Sequence, residues 1–540
     1  MRAHLLRIKS PDALIAESGA DLAGHGLRRT MGLFQLVCFG VGAIVGTGIF
    51  VGLSDTVAEA GPATVIAFVL AAVTCILTAF SFAELGGAIP VSGSSYSYAY
   101  ATLGEGAAFL TGWCLLLEYG VSVSAVAVGW GQYLNELLRS VFGWQLPAAL
   151  SSSPSEGGIL NVPAVVVIML AALLLVRGVR ESARATAAMA VLKLGVLALF
   201  CAIAFAAFEA GNLTPFAAHG LAGVTSGASV AFFSYIGFDA ITTAGEEVKN
   251  PRRTIPLAIM VCIGVVTLLY CLVALAAIGG LSAGEVAGKP AALSLIVNQV
   301  TGSAWGGGII AFGAVVAIAS VVLTVTYGQT RILMSMSRDG LIPPVFARIS
   351  PRTATPVAGT WIVAVVFAVP AALVPLDVVL DLTTIGTLTA MVVVNVSVLA
   401  LRRSRPDLPR PFRAPLFPLP PLLGIVCCGY LIYGTGSAAW LQFGIFLLVG
   451  AGLYVGYGRH RSRLRGVPEG AATEGRAPAA RETGDAVSSD GSVGRAASGG
   501  AVARAALGES VDPVATGGSV GREGPGSVVA SGVGDGRAGQ

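Results

Sequence analysis

Apolar stretches close to twenty residues long recur from Met31 to Tyr457, separated by short polar breaks. A stretch of that length crosses the hydrocarbon core of a bilayer as a helix, whereas a helix on a soluble domain keeps a polar face. The pattern predicts spans at 33–53, 63–84, 105–138, 161–177, 185–208 and 226–246, then at 255–279, 303–336, 356–374, 379–401, 419–437 and 439–458, termed spans 1 to 12. The fold class is therefore all-α integral membrane, with one membrane domain over 31–460 behind an N-terminal segment, 1–30. Beyond about Gly466 the period disappears into Gly, Ala, Ser, Val and Arg with scattered acids. Such a composition cannot bury enough surface to offset the entropy of ordering, so 461–540 are expected as a disordered tail.

Basic residues turn this pattern into a topology. Arg28/Arg29, Arg177/Arg180/Arg184, Lys249/Arg252/Arg253, Arg338/Arg348/Arg352, Arg402/Arg403/Arg405/Arg410/Arg413 and Arg459/Arg461/Arg463 all fall on one side of the predicted spans, and the opposite loops hold little beyond Arg139 and Lys289. The positive-inside rule makes the basic side cytoplasmic, so both termini face the cytoplasm and the chain sits in the cell membrane. Composition agrees: 55% of the 540 residues are hydrophobic and 11% charged, which excludes a soluble domain and makes lipid the surrounding partner. A net charge of +4, concentrated in those loops, gives no sign of a nucleic-acid partner. All eight cysteines lie inside apolar runs without metal or disulfide spacing and read as small buried hydrophobes. The first thirty residues carry charges but no apolar region with a cleavage site, so the N-terminus is expected to be retained.

Candidate chemistry begins where the spans are interrupted. In hydrocarbon every backbone N–H and C=O needs a partner, so a Gly-rich break is costly unless the freed groups face a cavity or a ligand. One break runs from Gly40 to Phe50 in span 1 and another from Phe232 to Asp239 in span 6. Their five-span separation is the spacing of matching segments in inverted-repeat transporters, which points to a site at the bilayer midplane. An unwound helix offers N–H groups suited to a carboxylate and C=O groups suited to an ammonium, so a zwitterion fits both ends. Tight helix packing alone would explain Gly42 with Gly46; the paired break beside a carboxylate favours a site.

At these residues the chain resembles the amino acid–polyamine–organocation superfamily, and within it the bacterial relatives of the cationic amino acid transporters. The resemblance covers roughly Leu27 to Gly458. It is carried by Leu27-Arg28-Arg29-Thr30, Gly46-Thr47-Gly48-Ile49-Phe50, Glu84 to Tyr98 (ELGGAIPVSGSSYSY), Glu118-Tyr119, Phe232 to Pro251 (FFSYIGFDAITTAGEEVKNP) and Tyr327 to Gly340 (YGQTRILMSMSRDG). It implies a LeuT-like fold of 12 transmembrane helices, a 5+5 inverted repeat with two appended. It implies that backbone N–H groups around Gly46, Thr47 and Gly48 hold a substrate carboxylate and that carbonyls of Ile44, Phe233, Ser234 and Ile236 hold its amine. In span 8, Val325 would set side-chain selectivity, against the alternative that this valine only packs.

Ionisable residues at membrane depth cost several kcal/mol unless paired or neutral, which makes each a functional candidate. Lys193 in span 5 lies where burial disfavours the ammonium, as suits a group that gains and loses a proton. The resemblance makes it a substitute for a sodium ion; the alternative is snorkelling toward cytoplasmic headgroups near Arg184. The resemblance also implies that Asp239 and Glu118 join Tyr270 of span 7 in a relay linking substrate to protonation; the alternative is that Asp239 merely satisfies loose N–H groups at the break. Glu84, Glu246, Glu247 and Arg331 lie nearer helix ends and suit gating or structural pairs. The four histidines fall outside the spans, which argues against a histidine relay. No metal spacing, phosphate loop or nucleophile triad appears, so neither an enzyme nor a metal or other cofactor is expected, and energy would come from a gradient. The expected function is secondary active amino acid transport, proton-coupled, with neutral or cationic substrates; the alternatives are an exchanger and a receptor that does not transport. Nothing indicates whether an accessory subunit takes part.

Overall fold

Helix is the only economical way for these apolar stretches to satisfy their backbone in lipid, and helix covers all of them. The computed structural model describes residues 7–20, 31–177, 183–350, 353 and 355–466, within the compact unit Met1–Pro478. Arg28, Arg29, the Leu27–Thr30 motif, Arg180, Arg352, His4, His25 and residues 467–540 of the expected tail lie outside the described residues, as do the side chains of Arg184 and Glu246. Among the described residues there is no strand, only an isolated bridge between Met31 and Val248.

In chain order, α1 is Pro11–Ala20. Span 1 comprises α2 (Leu33–Ile44), α3 (Thr47–Phe50) and α4 (Gly52–Ala60), running past its expected end at 53. Then come α5 (Thr64–Ala88) and a short helix α6 (Ser94–Thr102) that the apolar pattern does not announce. Span 3 is α7 (Glu105–Leu115) and α8 (Ser122–Phe142), joined by a widened π turn over Leu116–Val121. Next are α9 (Val162–Val176) and α10 (Ala183–Ala206). Span 6 splits into α11 (Gly220–Phe232) and α12 (Ala240–Thr243). There follow α13 (Pro251–Gly280), an unannounced α14 (Ala292–Thr301), α15 (Ala304–Arg338), α16 (Val357–Leu373), α17 (Leu376–Ser404), α18 (Leu419–Gly434) and α19 (Ser437–Leu453). Among the described residues, eight helical runs are long and apolar enough to cross a membrane by themselves.

Packing sorts these helices. The pieces of span 1 lie with α5, α11 and α13, while α8, α9, α15 and α16 pack on one another beside them. Pro251 at the first position of α13 and Asn161, which accepts the Ala164 N–H at 3.3 Å to cap α9, fix two helix starts. One end of α5 is tied to the last turn of α17 and the segment after it: Glu84, 1% exposed, accepts from Arg402 at 2.8 and 2.6 Å and from the Ala414 N–H at 2.8 Å. Arg410 closes on the same carboxylate at 3.5 Å. Glu84 is thus a structural pair, as its place near a helix end suggests. On the same side Lys9 pairs with Asp339 at 2.8 Å, and Tyr96 of α6 donates to the other Asp339 oxygen at 2.6 Å.

Candidate functional site

The first break follows from Val45 and Gly46. Val45 turns extended (φ −74°, ψ 101°), Gly46 follows at φ −166° and ψ −137°, and helix resumes at Thr47. Two orphan carbonyls at the end of α2 take side-chain donors: Lys193 Nζ donates to Gly42 O at 2.5 Å and Tyr270 Oη to Ile44 O at 3.2 Å. At the start of α3 the N–H groups of Thr47 and Gly48 have no acceptor among the described residues. They form a free N-terminus of the kind that binds anions.

The second break lies against the first. After a tight turn at Phe233–Tyr235 the chain extends at Ile236 (φ −59°, ψ 138°) and reverses at Gly237 (φ +110°). Glycine is required at 237 twice over, by that left-handed backbone and because a Cβ there would stand 3.1 Å from Ala43 O. Gly48 is held as tightly from the other side, since its Cβ would stand 2.2 Å from Ser234 Cα. Gly42, in contrast, has nothing within 4 Å, so the packing motif read for Gly42 with Gly46 does not hold at Gly42. Gly46 does pack, against Val321.

Between the breaks lies a cavity. Its wall includes Ile44, Thr47, Gly48, Phe233, Ile236, Val325 and Glu118, together with Phe39, Val126, Val321, Thr324 and Tyr327. Gly46, Ser234, Lys193, Asp239 and Tyr270 are not in the wall and sit behind it. Ser234 Oγ is buried without a hydrogen-bond partner. Phe233 O already accepts from the Ile236 N–H at 3.3 Å and Ile44 O from Tyr270, leaving each one lone pair.

Lys193 is 0% exposed, while Val191 and Leu192 on the same helix face outward at 61% and 38%. The lysine therefore points into the protein, opposite to a snorkelling geometry. Asp239 is buried at 1% exposure and accepts from Tyr119 Oη at 2.5 Å and Ser94 Oγ at 3.2 Å, both on Oδ2. Its Oδ1 has no hydrogen-bond partner by the same geometry, although the Glu118 carboxyl is its close electrostatic neighbour. Among the described residues Asp239 has no salt bridge. The side-chain partners of Asp239 are hydroxyls, and its own backbone N–H also lies against the carboxyl. Tyr270 reaches Ile44 rather than the carboxyls, so the expected relay divides into a Glu118–Asp239 pair and a separate Tyr270–Ile44 contact.

The sequence reading missed Tyr119, Ser94 and Tyr327. Tyr119 and Ser94 stand inside quoted motifs, but no helical period brings either to Asp239. Tyr327 accepts from Arg331 one turn on in α15, and the guanidinium lies 4.8 Å from the ring centre, so Arg331 stands near the cavity wall rather than only at a helix end.

Comparison with known proteins matches residues 31–448 to the family model described as amino acid permease. The branched-chain amino acid permease BcaP of Bacillus subtilis is 41% identical over 468 residues, 86% of this chain and 100% of that protein. The methylthioribose transporter of the same organism is 39% identical over 465 residues, covering 85% and 99%. The vacuolar cationic amino acid transporter 4 of Arabidopsis thaliana is 35% identical over 420 residues, covering 75% and 68%.

Proposed function

Because the chain belongs to the amino acid permease family, whose members transport rather than transform their substrates, we propose that it carries amino acids with neutral aliphatic side chains inward by proton-coupled symport. The observation that carries this is the meeting of two helix breaks around one cavity, with free N–H groups at Thr47 and Gly48 on one side. The substrate carboxylate binds those N–H groups, and Gly46 lets the backbone turn toward it. The ammonium binds the remaining lone pairs of Ile44 and Phe233 with the carbonyls of Ser234 and Ile236.

Val126, Val321, Val325 and Ile236 give part of the wall an apolar surface, which favours an aliphatic side chain. The name of the branched-chain relative agrees with that wall. The two breaks five spans apart support a LeuT-like 5+5 repeat with two added helices, twelve in all, and the basic loops support cytoplasmic termini in the cell membrane. The membrane domain is 31–460, flanked by cytoplasmic segments 1–30 and 461–540.

Lys193 stands where its charge state controls α2, through the Gly42 carbonyl. Protonation of Lys193 and of the Glu118–Asp239 pair accompanies substrate entry, and their deprotonation inside resets the carrier; Tyr270 holds Ile44 in the unwound geometry. Proteoliposomes with an inward proton gradient test this with labelled valine, alanine and arginine and with methylthioribose as competitor. Gradient-driven valine uptake that is lost in Lys193→Ala is expected. Uptake that ignores the gradient and survives the substitution would instead fit an exchanger.

A further inference from the structure

Ser94 is a residue with a left-handed backbone that is not glycine. Its φ is +46°, a conformation in which a side chain costs roughly 1 kcal/mol or more. The side chain is completely buried and its hydroxyl donates to Asp239 Oδ2 at 3.2 Å, with Thr242 Oγ1 3.2 Å away. Tyr119 donates to the same Oδ2, so both donors converge on one carboxyl oxygen and leave the other without a donor. A glycine at 94 would relieve the backbone and lose only the hydroxyl, and glycine stands next door at 93. The strained serine is thus explained by its bond to Asp239 and not by the turn.

We propose that Ser94 is a positioning residue for Asp239, which with Tyr119 fixes the carboxyl so that Oδ1 is the oxygen that carries the exchangeable proton toward Glu118. This rests on the reading of Asp239 as part of the proton path. A hydroxyl donating to a carboxylate stabilises the ionised form, so Ser94 eases proton release from Asp239. The groups facing Asp239 are Glu118 and Tyr119 from the π turn and Tyr98 from α6. The other helices packed on α12 are α2, with Cys38 and the Lys193-bound carbonyl of Gly42, and α13, with Cys262 and Tyr270; Glu247 lies in the turn that follows.

The test is infrared titration of the protonated carboxyl band in purified protein, with the Asp239 band assigned by its loss in Asp239→Asn, for wild type, Ser94→Gly and Ser94→Ala. Both variants lose the hydroxyl, but only alanine keeps the backbone strain. In both, the band is expected to persist about one pH unit higher than in wild type, the size of one hydrogen bond to a charged group. The pH midpoint of valine uptake in proteoliposomes should move the same way. Coincident titrations in all three proteins would overturn the proposal, as would a shift in one variant only or the absence of any band that Asp239→Asn removes. A shifted band in a protein whose uptake ignores the proton gradient would leave the positioning role standing and overturn the symport reading instead.

Discussion

At the scale of single residues, the two glycines of span 1 that look alike in sequence are opposite in the structure. A Cβ on Gly48 would meet the backbone of Ser234, which cannot move without parting the two breaks, whereas one on Gly42 would meet open space. Gly48→Ala is therefore expected to abolish substrate binding, read as loss of labelled-valine binding to purified protein. Gly42→Ala should bind normally and unfold at an equal or slightly higher temperature, because alanine is favoured over glycine inside a helix by roughly 1 kcal/mol. Equal damage from both would mean that the breaks do not touch as described. The carbonyl of Gly42 that holds Lys193 belongs to the backbone and survives the substitution.

At the scale of elements, burial decides which ion pairs matter. Glu84 is 1% exposed and joins α5 to the end of α17 through Arg402 and to the segment after it through Arg410 and the Ala414 N–H. Removing one partner of a buried pair leaves an uncompensated charge, at about 3–5 kcal/mol. Glu84→Ala should therefore lower the thermal midpoint in detergent sharply. Asp12, whose side chain is 60% exposed in its pair with Arg405, should cost less than about 1 kcal/mol as Asp12→Ala. The long apolar helices were legible because bilayer thickness imposes a length, and the breaks because glycine and a carboxylate are expensive there. The short helices α6 and α14 and the π turn were not: α6 and the turn leave no apolar period, and α14 carries one in Leu293, Ile296, Val297 and Val300 but is half the length of a span. The role of Ser94 was illegible for another reason: its partner Asp239 is 145 positions away, and only folding brings α6 under the second break. Lys193 was legible as a buried cation, but its acceptor, a backbone carbonyl, carries no sequence signal.

For the whole molecule, alternating access requires that the seal on one side of the cavity open while the other closes. Under the proposed transport cycle, the contact of α3 and α4 with α8 is assigned as the outer seal. Tyr133 Oη donates to Phe50 O at 2.7 Å, and a Cβ on Gly129 would come within 2.6 Å of Thr47 Cγ2 and 2.7 Å of Val51 Cγ2. Under that assignment these contacts hold the outward-closed state, so weakening them biases the equilibrium toward the state that receives substrate from outside. Tyr133→Phe removes one hydrogen bond of about 1 kcal/mol and should shift the two populations about fivefold. External valine should then bind more tightly to right-side-out vesicles while the maximal uptake rate falls, because each cycle must now reach a less favoured closed state. If Tyr133→Phe instead weakened external binding, the Tyr133–Phe50 contact would support the binding site and not the outer gate.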